Sequence, residues 1–262
     1  MAATRRDLLA LGALLAGGYG AIRLGAAAYD RLADAAHAFE PMDRPEGFRR
    51  LAGGSSSSGG FDPFVGIRTD EAPAPTVSAA EVEDRLCETL FEGRVAGGDG
   101  VVPIASFSDY NCPYCRVLTQ RLAAFAAETP GVTMIWHELP LLGEGSRAAA
   151  EAALAAKRQG AYVAFHERLM RSPFQPTEGY LRTLARDLDI DGDRLIADMR
   201  GEAVARDIAE SEALARLLAI VGTPVVVVGR TVVQGVVDVE TIGTLVEMER
   251  EAGPVPGCEP TV

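Results

Sequence analysis

Two cysteines separated by two residues are the part of this sequence best suited to chemistry. They are Cys112 and Cys115, with Pro113 and Tyr114 between them. Cysteines at this spacing on a helix are close enough to form a disulfide, and a pair of this kind can exchange its disulfide with other thiols. The motif is therefore typical of a redox site.

Metal binding is the main alternative for such a pair. A structural zinc site needs two more ligands at characteristic spacing, and a site that carries soft Cu(I) would be expected to add Met or His nearby. The remaining cysteines and the histidines stand singly in the sequence: Cys87, Cys258, His37, His137 and His166. The sequence therefore favours redox exchange and predicts no metal site, with Cu(I) handling as the alternative from another functional class.

The segments on either side of the pair predict how it is positioned. Residues 101–107 form an apolar, β-prone run, and Leu118, Leu122 and Phe125 follow at helical spacing. Cys112 then lies at the first turn of a helix, where free N–H groups and the helix dipole favour a thiolate. We expect Cys112 to be the exposed nucleophile and Cys115, one turn further, to be shielded.

Two neighbours of the nucleophile also have predicted roles. Pro113 suits the first helical position, where its missing N–H costs nothing. Asp109, three residues before Cys112, is a candidate for tuning the thiols, and a carboxylate that organises the turn is an equally good interpretation.

Composition and the N-terminal segment indicate the partners and the cellular compartment of the protein. The net charge of −12 argues against nucleic acid and anionic membrane surfaces as partners. Residues 1–28 contain Arg5 and Arg6 and then an uncharged stretch, 8–22, which is shorter than a membrane span and typical of a signal peptide. A twin-arginine signal, an ordinary signal and an uncleaved anchor are all consistent with this segment, and each predicts a periplasmic or other extracytoplasmic location.

The rest of the chain divides into a tether and a folded domain. Residues 29–75 are rich in Gly, Ser and Pro and predict a flexible tether, with a disordered glycine-serine run at 53–60. Residues 76–262 predict alternating strands and helices, with an almost wholly helical stretch at about 145–220.

The order of these elements resembles the DsbA family of thioredoxin-fold proteins. The resemblance covers about 97–252 and is carried by the Cys-Pro-Tyr-Cys motif, the residues 139–143, and Thr223-Pro224 about a hundred residues later. It implies an α/β thioredoxin fold with a helical insertion between the βαβ and ββα halves. It also implies that Pro224 is cis and faces the cysteines, where the backbone of Thr223 could pair with an extended substrate.

The resemblance further implies a function. The chain would be a thiol-disulfide oxidoreductase without a cofactor beyond its cysteine pair, acting on exported polypeptides and reoxidised by a membrane quinone-linked thiol oxidase. A reductase or isomerase on the same fold stays open. Tyr114 stands where the best-known members carry His, so the sequence does not predict strong oxidising power.

The two remaining cysteines lie on segments that flank the predicted thioredoxin core. In such folds these segments can run close together, and an oxidising compartment favours pairing, so we expect a structural disulfide between Cys87 and Cys258. Two unpaired thiols remain the alternative.

Overall fold

A mixed six-stranded sheet is the centre of the structure, which is a computed structural model that describes residues 39–58, 77–93, 101–171 and 173–258. Apart from Phe39, these residues belong to one compact unit, Glu40–Val262. The predicted export signal, 1–28, and the tether segments 29–38 and 59–75 lie outside the described residues. Among the described residues, no helix is both long and apolar enough to cross a membrane.

The strands are β1 (Phe39–Pro41), β2 (Arg49–Ala52), β3 (Val102–Ser108), β4 (Val132–Glu138), β5 (Val225–Val228) and β6 (Thr231–Gln234). The helices are α1 (Ala79–Asp84), α2 (Leu86–Phe91), α3 (Pro113–Glu128), α4 (Glu144–Lys157), α5 (Tyr162–Arg171), α6 (Glu178–Asp187), α7 (Gly192–Asp198), α8 (Glu202–Leu217) and α9 (Val239–Ala252).

The sheet has the strand order β1-β2-β6-β5-β3-β4. β3 pairs in parallel with β4 and antiparallel with β5, β5 and β6 form an antiparallel hairpin, and β2 runs parallel to β6. All seven residues of β3 are buried, as expected for a strand covered on both faces. The carboxyl end of β3 leads directly into the turn that carries the cysteine pair.

Helices cover both faces of the sheet. Ala105 and Phe107 of β3 join a buried cluster with Leu90 and Phe91 of α2, on the face where α8 packs against β4. Side chains alternate along a strand, so Ile104 lies on the opposite face, which α3 and α9 cover. The architecture is the thioredoxin-like α/β fold that the family resemblance implies.

Five helices, α4 to α8, follow one another between β4 and β5. Their buried side chains form a second apolar cluster, which includes Cys112 and Cys115. The cysteine pair therefore lies between the sheet and the helical insertion.

The predicted tether is wrong for residues 39–58. β1 and β2 join the sheet there, and Leu51 is the one fully buried residue of β2, so the strand has no apolar alternation that the sequence could reveal. Gly53 and Gly54 continue along the edge of β6 rather than forming a disordered run. A Cβ on Gly53 would lie 1.9 Å from the carbonyl oxygen of Gln234, so this glycine serves close backbone approach.

The segment from Ser78 to Phe91 forms two short helices. Ser78 caps α1 by accepting a hydrogen bond from the Glu81 N–H at 3.1 Å. Arg85 then leaves the helical region, with φ −123° and ψ 35°, and separates α1 from α2. Cys87 of α2 forms a disulfide with Cys258 in the C-terminal segment, where the two Cα atoms are 5.3 Å apart.

Candidate active site

Cys112 is the N-cap residue of α3. Its backbone is extended, with φ −78° and ψ 115°, and Pro113 begins the helix behind it. The Cys112 sulfur accepts a hydrogen bond from the Cys115 N–H, with an N–S distance of 3.2 Å. An N-terminal helical N–H therefore points at the sulfur, which favours its negatively charged form.

Thr223 and Pro224 face this sulfur from the loop before β5. The peptide bond between them is cis, and the Cys112 thiol donates to the Thr223 carbonyl oxygen, at a sulfur–oxygen distance of 3.4 Å. Two segments 111 residues apart in the chain thus meet at one atom of the nucleophile. The structure thus brings the Thr-Pro dipeptide against the cysteine pair.

The two thiols have opposite acidities. Hydrogen bonding to Cys115 lowers the pKa of Cys112 to about 6; burial opposes this, and Thr223, the Cys115 N–H and Ser57 assist it. Burial, together with the neighbouring Cys112, raises the pKa of Cys115 far above its usual value. At neutral pH the thiolate therefore resides on Cys112 and the proton on Cys115.

The expectation that Cys112 is exposed is wrong. Cys112 and Cys115 both have 0% exposure, although Asn111, Pro113 and Tyr114 beside them are exposed. The cover includes Thr223 and, beyond it, Ser57 from the segment that the sequence predicts to be disordered.

Asp109 organises the active-site turn. Its carboxylate is 1% exposed and accepts four hydrogen bonds. Oδ1 accepts from the Asn111 N–H at 2.7 Å and the Ser146 hydroxyl at 2.6 Å, and Oδ2 accepts from the N–H groups of Leu141 and Leu142 at 2.7 and 2.9 Å. Asp109 thereby joins the cysteine turn to the segment between β4 and α4. This geometry fits the turn-organising interpretation of the residue.

An apolar surface surrounds the covered pair. Tyr114, between the two cysteines, is 39% exposed, and Val117, one turn further along α3, is 51% exposed. Val221, two residues before Thr223, is 74% exposed. These side chains leave apolar area in solvent on both segments that meet at the nucleophile.

A buried polar cluster beside the turn has no counterpart in the sequence prediction. The Glu138 carboxylate accepts from the hydroxyl groups of Tyr110 and Tyr162, each at 2.7 Å, and His166 lies 3.1 Å from the same oxygen. Burial raises the pKa values of both tyrosines well above their usual range, so they stay protonated as donors. The one sequence signal was a carboxylate at the end of an apolar strand.

Arg116 is a second residue that the sequence analysis did not identify. Its guanidinium donates to the carbonyl oxygens of Tyr110 and Leu169, and the latter distance is 3.1 Å. It joins the active-site turn to α5.

Within the described ranges, no group of three or more His, Cys, Asp or Glu side chains is placed to hold a metal ion.

Comparison with known proteins identifies relatives of this domain. Residues 103–247 match the family model of the DSBA-like thioredoxin domain. A thioredoxin-like oxidoreductase from Silicibacter pomeroyi is 38% identical, with a TM-score of 0.58, and the match covers 63% of this chain and 98% of that one. The thiol-disulfide exchange protein alpha-DsbA2 from Wolbachia pipientis shares the fold at 21% identity and a TM-score of 0.56, over 68% of this chain and 99% of that one.

Matches to curated proteins are partial. The Na(+)/H(+) antiporter NhaA 3 from Salinispora tropica is 33% identical over 128 residues, which are 47% of this chain and 19% of the antiporter. The antiporter NhaA 1 from Salinispora arenicola matches to the same extent. This chain thus spans about one fifth of the length of the curated relatives it matches, since the match covers 19% of each.

Proposed function

Because the chain belongs to the family of DSBA-like thioredoxin domains, we propose that it is a thiol-disulfide oxidoreductase that exchanges disulfides with cysteine-containing polypeptides. The observation that carries the proposal is the position of Cys112, at the N-cap of α3 and against the carbonyl group before cis Pro224. Its lowered pKa makes Cys112 both a nucleophile and a good leaving group at neutral pH.

Exchange begins with the disulfide between Cys112 and Cys115. A substrate thiolate attacks the Cys112 sulfur, the bond between the two cysteines breaks, and Cys115 leaves and takes up a proton, because its burial disfavours a thiolate. A second substrate thiolate then attacks the substrate sulfur of the mixed disulfide. Cys112 leaves as a thiolate, so two electrons pass from the substrate to the pair.

Extended polypeptides fit the surroundings of the pair. The Thr223 backbone can hydrogen-bond to a substrate strand, and the exposed side chains of Tyr114, Val117 and Val221 offer apolar contact on either side. Unfolded chains expose apolar side chains and cysteines together, so they are the substrates that we propose.

The proposed setting is extracytoplasmic. Residues 1–28 have the charge and length pattern of an export signal or anchor, and the disulfide between Cys87 and Cys258 suits an oxidising compartment. We propose exported polypeptides as substrates and a membrane quinone-linked thiol oxidase as the partner that reoxidises the pair. A reporter enzyme that folds only after export, fused to residues 1–75, tests the location.

Trapping tests the chemistry. Cys115→Ser cannot form the internal disulfide, so its Cys112 thiolate should attack client disulfides and stay in mixed disulfides, because no Cys115 thiolate is present to attack Cys112 and release the client, whereas Cys112→Ser should accumulate none. Non-reducing electrophoresis followed by mass spectrometry identifies the linked cysteines. The reverse pattern would assign the nucleophile to Cys115, and no adducts in either variant would oppose the proposed activity.

A further inference from the structure

A segment of the chain itself lies where a substrate strand would bind. Ser57 forms an isolated antiparallel bridge with Thr223. The Ser57 N–H donates to the Thr223 carbonyl oxygen and the Thr223 N–H donates to the Ser57 carbonyl oxygen, each at 2.7 Å. The same Thr223 oxygen lies 3.4 Å from the Cys112 sulfur, so the bridge is directly above the nucleophile.

The segment 53–58, here called the covering strand, is held along the sheet by its backbone. The Gly54 N–H donates to Val236 at 2.8 Å, and the Val236 N–H donates to Ser55 at 3.0 Å. Contact is close enough to require small residues: a Cβ on Gly222 would lie 2.7 Å from the Ser57 carbonyl oxygen. A Cβ on Gly235 would lie 2.1 Å from the Gly54 carbonyl oxygen.

The covering strand is attached in a way that permits release. Its residues are Gly or Ser, and Ser55, Ser56 and Ser58 are exposed, so no apolar side chain anchors it. Its cross-strand backbone hydrogen bonds are each worth little in net free energy, because water replaces them on opening. A substrate strand that pairs with Thr223 would replace both bonds of the bridge and could displace the covering strand at little net cost.

We propose that the covering strand is an internal competitor for the substrate, which pairs with Thr223, keeps Cys112 covered and must be displaced before exchange. The inference rests on the proposed function, since it regulates that same site. It accounts for the 0% exposure of a cysteine at the start of a helix. The site would then react with polypeptides that bind as strands in preference to small thiols or disulfides that cannot displace the cover.

Alkylation of Cys112 tests the cover directly. Iodoacetamide is added to the reduced protein over a range of pH. The quantity compared between wild type and variants is the limiting rate of alkylation at high pH, where Cys112 is fully a thiolate, so that a changed Cys112 pKa does not alter the result. Ser57→Pro removes the N–H that donates to Thr223, and Gly222→Ala places a Cβ against the Ser57 carbonyl oxygen. Both should raise the limiting rate about fivefold or more, because one backbone hydrogen bond corresponds to a factor of that order.

Ser56→Pro is the matched control. The Ser56 N–H makes no hydrogen bond within the described part of the chain, so the same substitution one residue away should leave the rate within about twofold of wild type. Circular dichroism and thermal unfolding verify that each variant is folded. Equal limiting rates in wild type, Ser57→Pro and Gly222→Ala would overturn the inference, as would an equal increase in Ser56→Pro and Ser57→Pro.

A glutathione titration of each variant separates this inference from the proposed function. If the cysteine pair equilibrates with glutathione but wild type and variants are alkylated at equal limiting rates, the inference of a covering strand is wrong and the proposed redox function stands. If the alkylation rates rise as expected but the cysteine pair never equilibrates with glutathione even in Ser57→Pro, where the cover is released, the cover stands and the proposed function fails.

Discussion

Asp109→Asn is the most informative test of how the active-site turn is held. The substitution keeps the shape of the side chain and replaces a charged acceptor by a neutral amide. Oδ2 accepts two backbone N–H groups, so the amide oxygen is best placed there and the NH2 group takes the position of Oδ1. The Ser146 hydroxyl can rotate to accept from this NH2 group, but the Asn111 N–H then meets a donor and is left unpaired.

The expected cost follows from these contacts. A buried N–H left without an acceptor costs about 1–3 kcal/mol; Asn111 is exposed, so its N–H lies at the low end of that range, and the remaining bonds lose the advantage of a charged acceptor. We therefore expect Asp109→Asn to lower the unfolding free energy by about 2–4 kcal/mol, a large share of the roughly 5–15 kcal/mol typical of a domain. Urea unfolding of the oxidised protein at pH 7, followed by circular dichroism, measures this change.

Asp191→Asn provides the control. Asp191 is an exposed N-cap whose Oδ1 accepts from the N–H groups of Asp193 and Arg194 at 2.9 and 3.0 Å. Asn serves about as well as Asp at such a position, so we expect a loss below about 0.5 kcal/mol. If Asp109→Asn costs as little as this control, the four contacts do not hold the turn and the reasoning is wrong.

Three further predictions concern the cysteines and their neighbour. First, the unfolding free energy of the reduced protein, relative to that of the oxidised protein, should rise by about 1 kcal/mol per pH unit from pH 6 to pH 8, and this gain should be lost as pH falls through 6. The reason is that Cys112 has a pKa of about 6 in the folded protein and 9.0 as a free thiol. A pH-independent difference in urea unfolding between the two forms would contradict this prediction. Second, Tyr114→His should lower the Cys112 pKa further and raise the reduction potential of the cysteine pair at pH 7 by about 30 mV for each unit of that pKa change. Thiolate absorbance measures the pKa and glutathione titration measures the potential; a lower potential in the variant would refute the prediction. Replacing Cys87 and Cys258 together by Ser should cost about 2–5 kcal/mol, since their bridge closes a loop with a sequence separation of 171; thermal unfolding that matches wild type would refute it.

The sequence predicted those parts of the site whose local pattern is strong. The apolar run before Cys112 is the wholly buried β3, and the helical spacing after it is α3 with Pro113 at its start. Thr223 and Pro224 were identified through the family pattern, because nothing local distinguishes a cis from a trans proline there. In each case, residue type and spacing are tied to one backbone geometry.

The cover over the site could not be predicted in the same way. Leu51 is the one fully buried residue of β2, and the glycines and serines after it have the composition of a flexible linker. What orders Gly53 and Ser57 is backbone pairing with residues far along the chain, which depends on the partner strand and leaves no periodic signal. The same composition therefore describes a loose linker and a strand that needs small residues for close approach.

The acidity of Cys112 also bears on the direction of electron flow. Compared with a nucleophile of pKa about 7, as in thioredoxin, a pKa of about 6 stabilises the reduced form at pH 7 by about 1 kcal/mol. For a two-electron couple this corresponds to about 20 mV, which would move a potential from about −270 mV to about −250 mV. DsbA, at about −120 mV with a thiol pKa of about 3.5, owes much more of its oxidising power to its thiolate. A Cys112 thiolate of pKa about 6 therefore contributes less to oxidising power than a thiolate of pKa about 3.5 does.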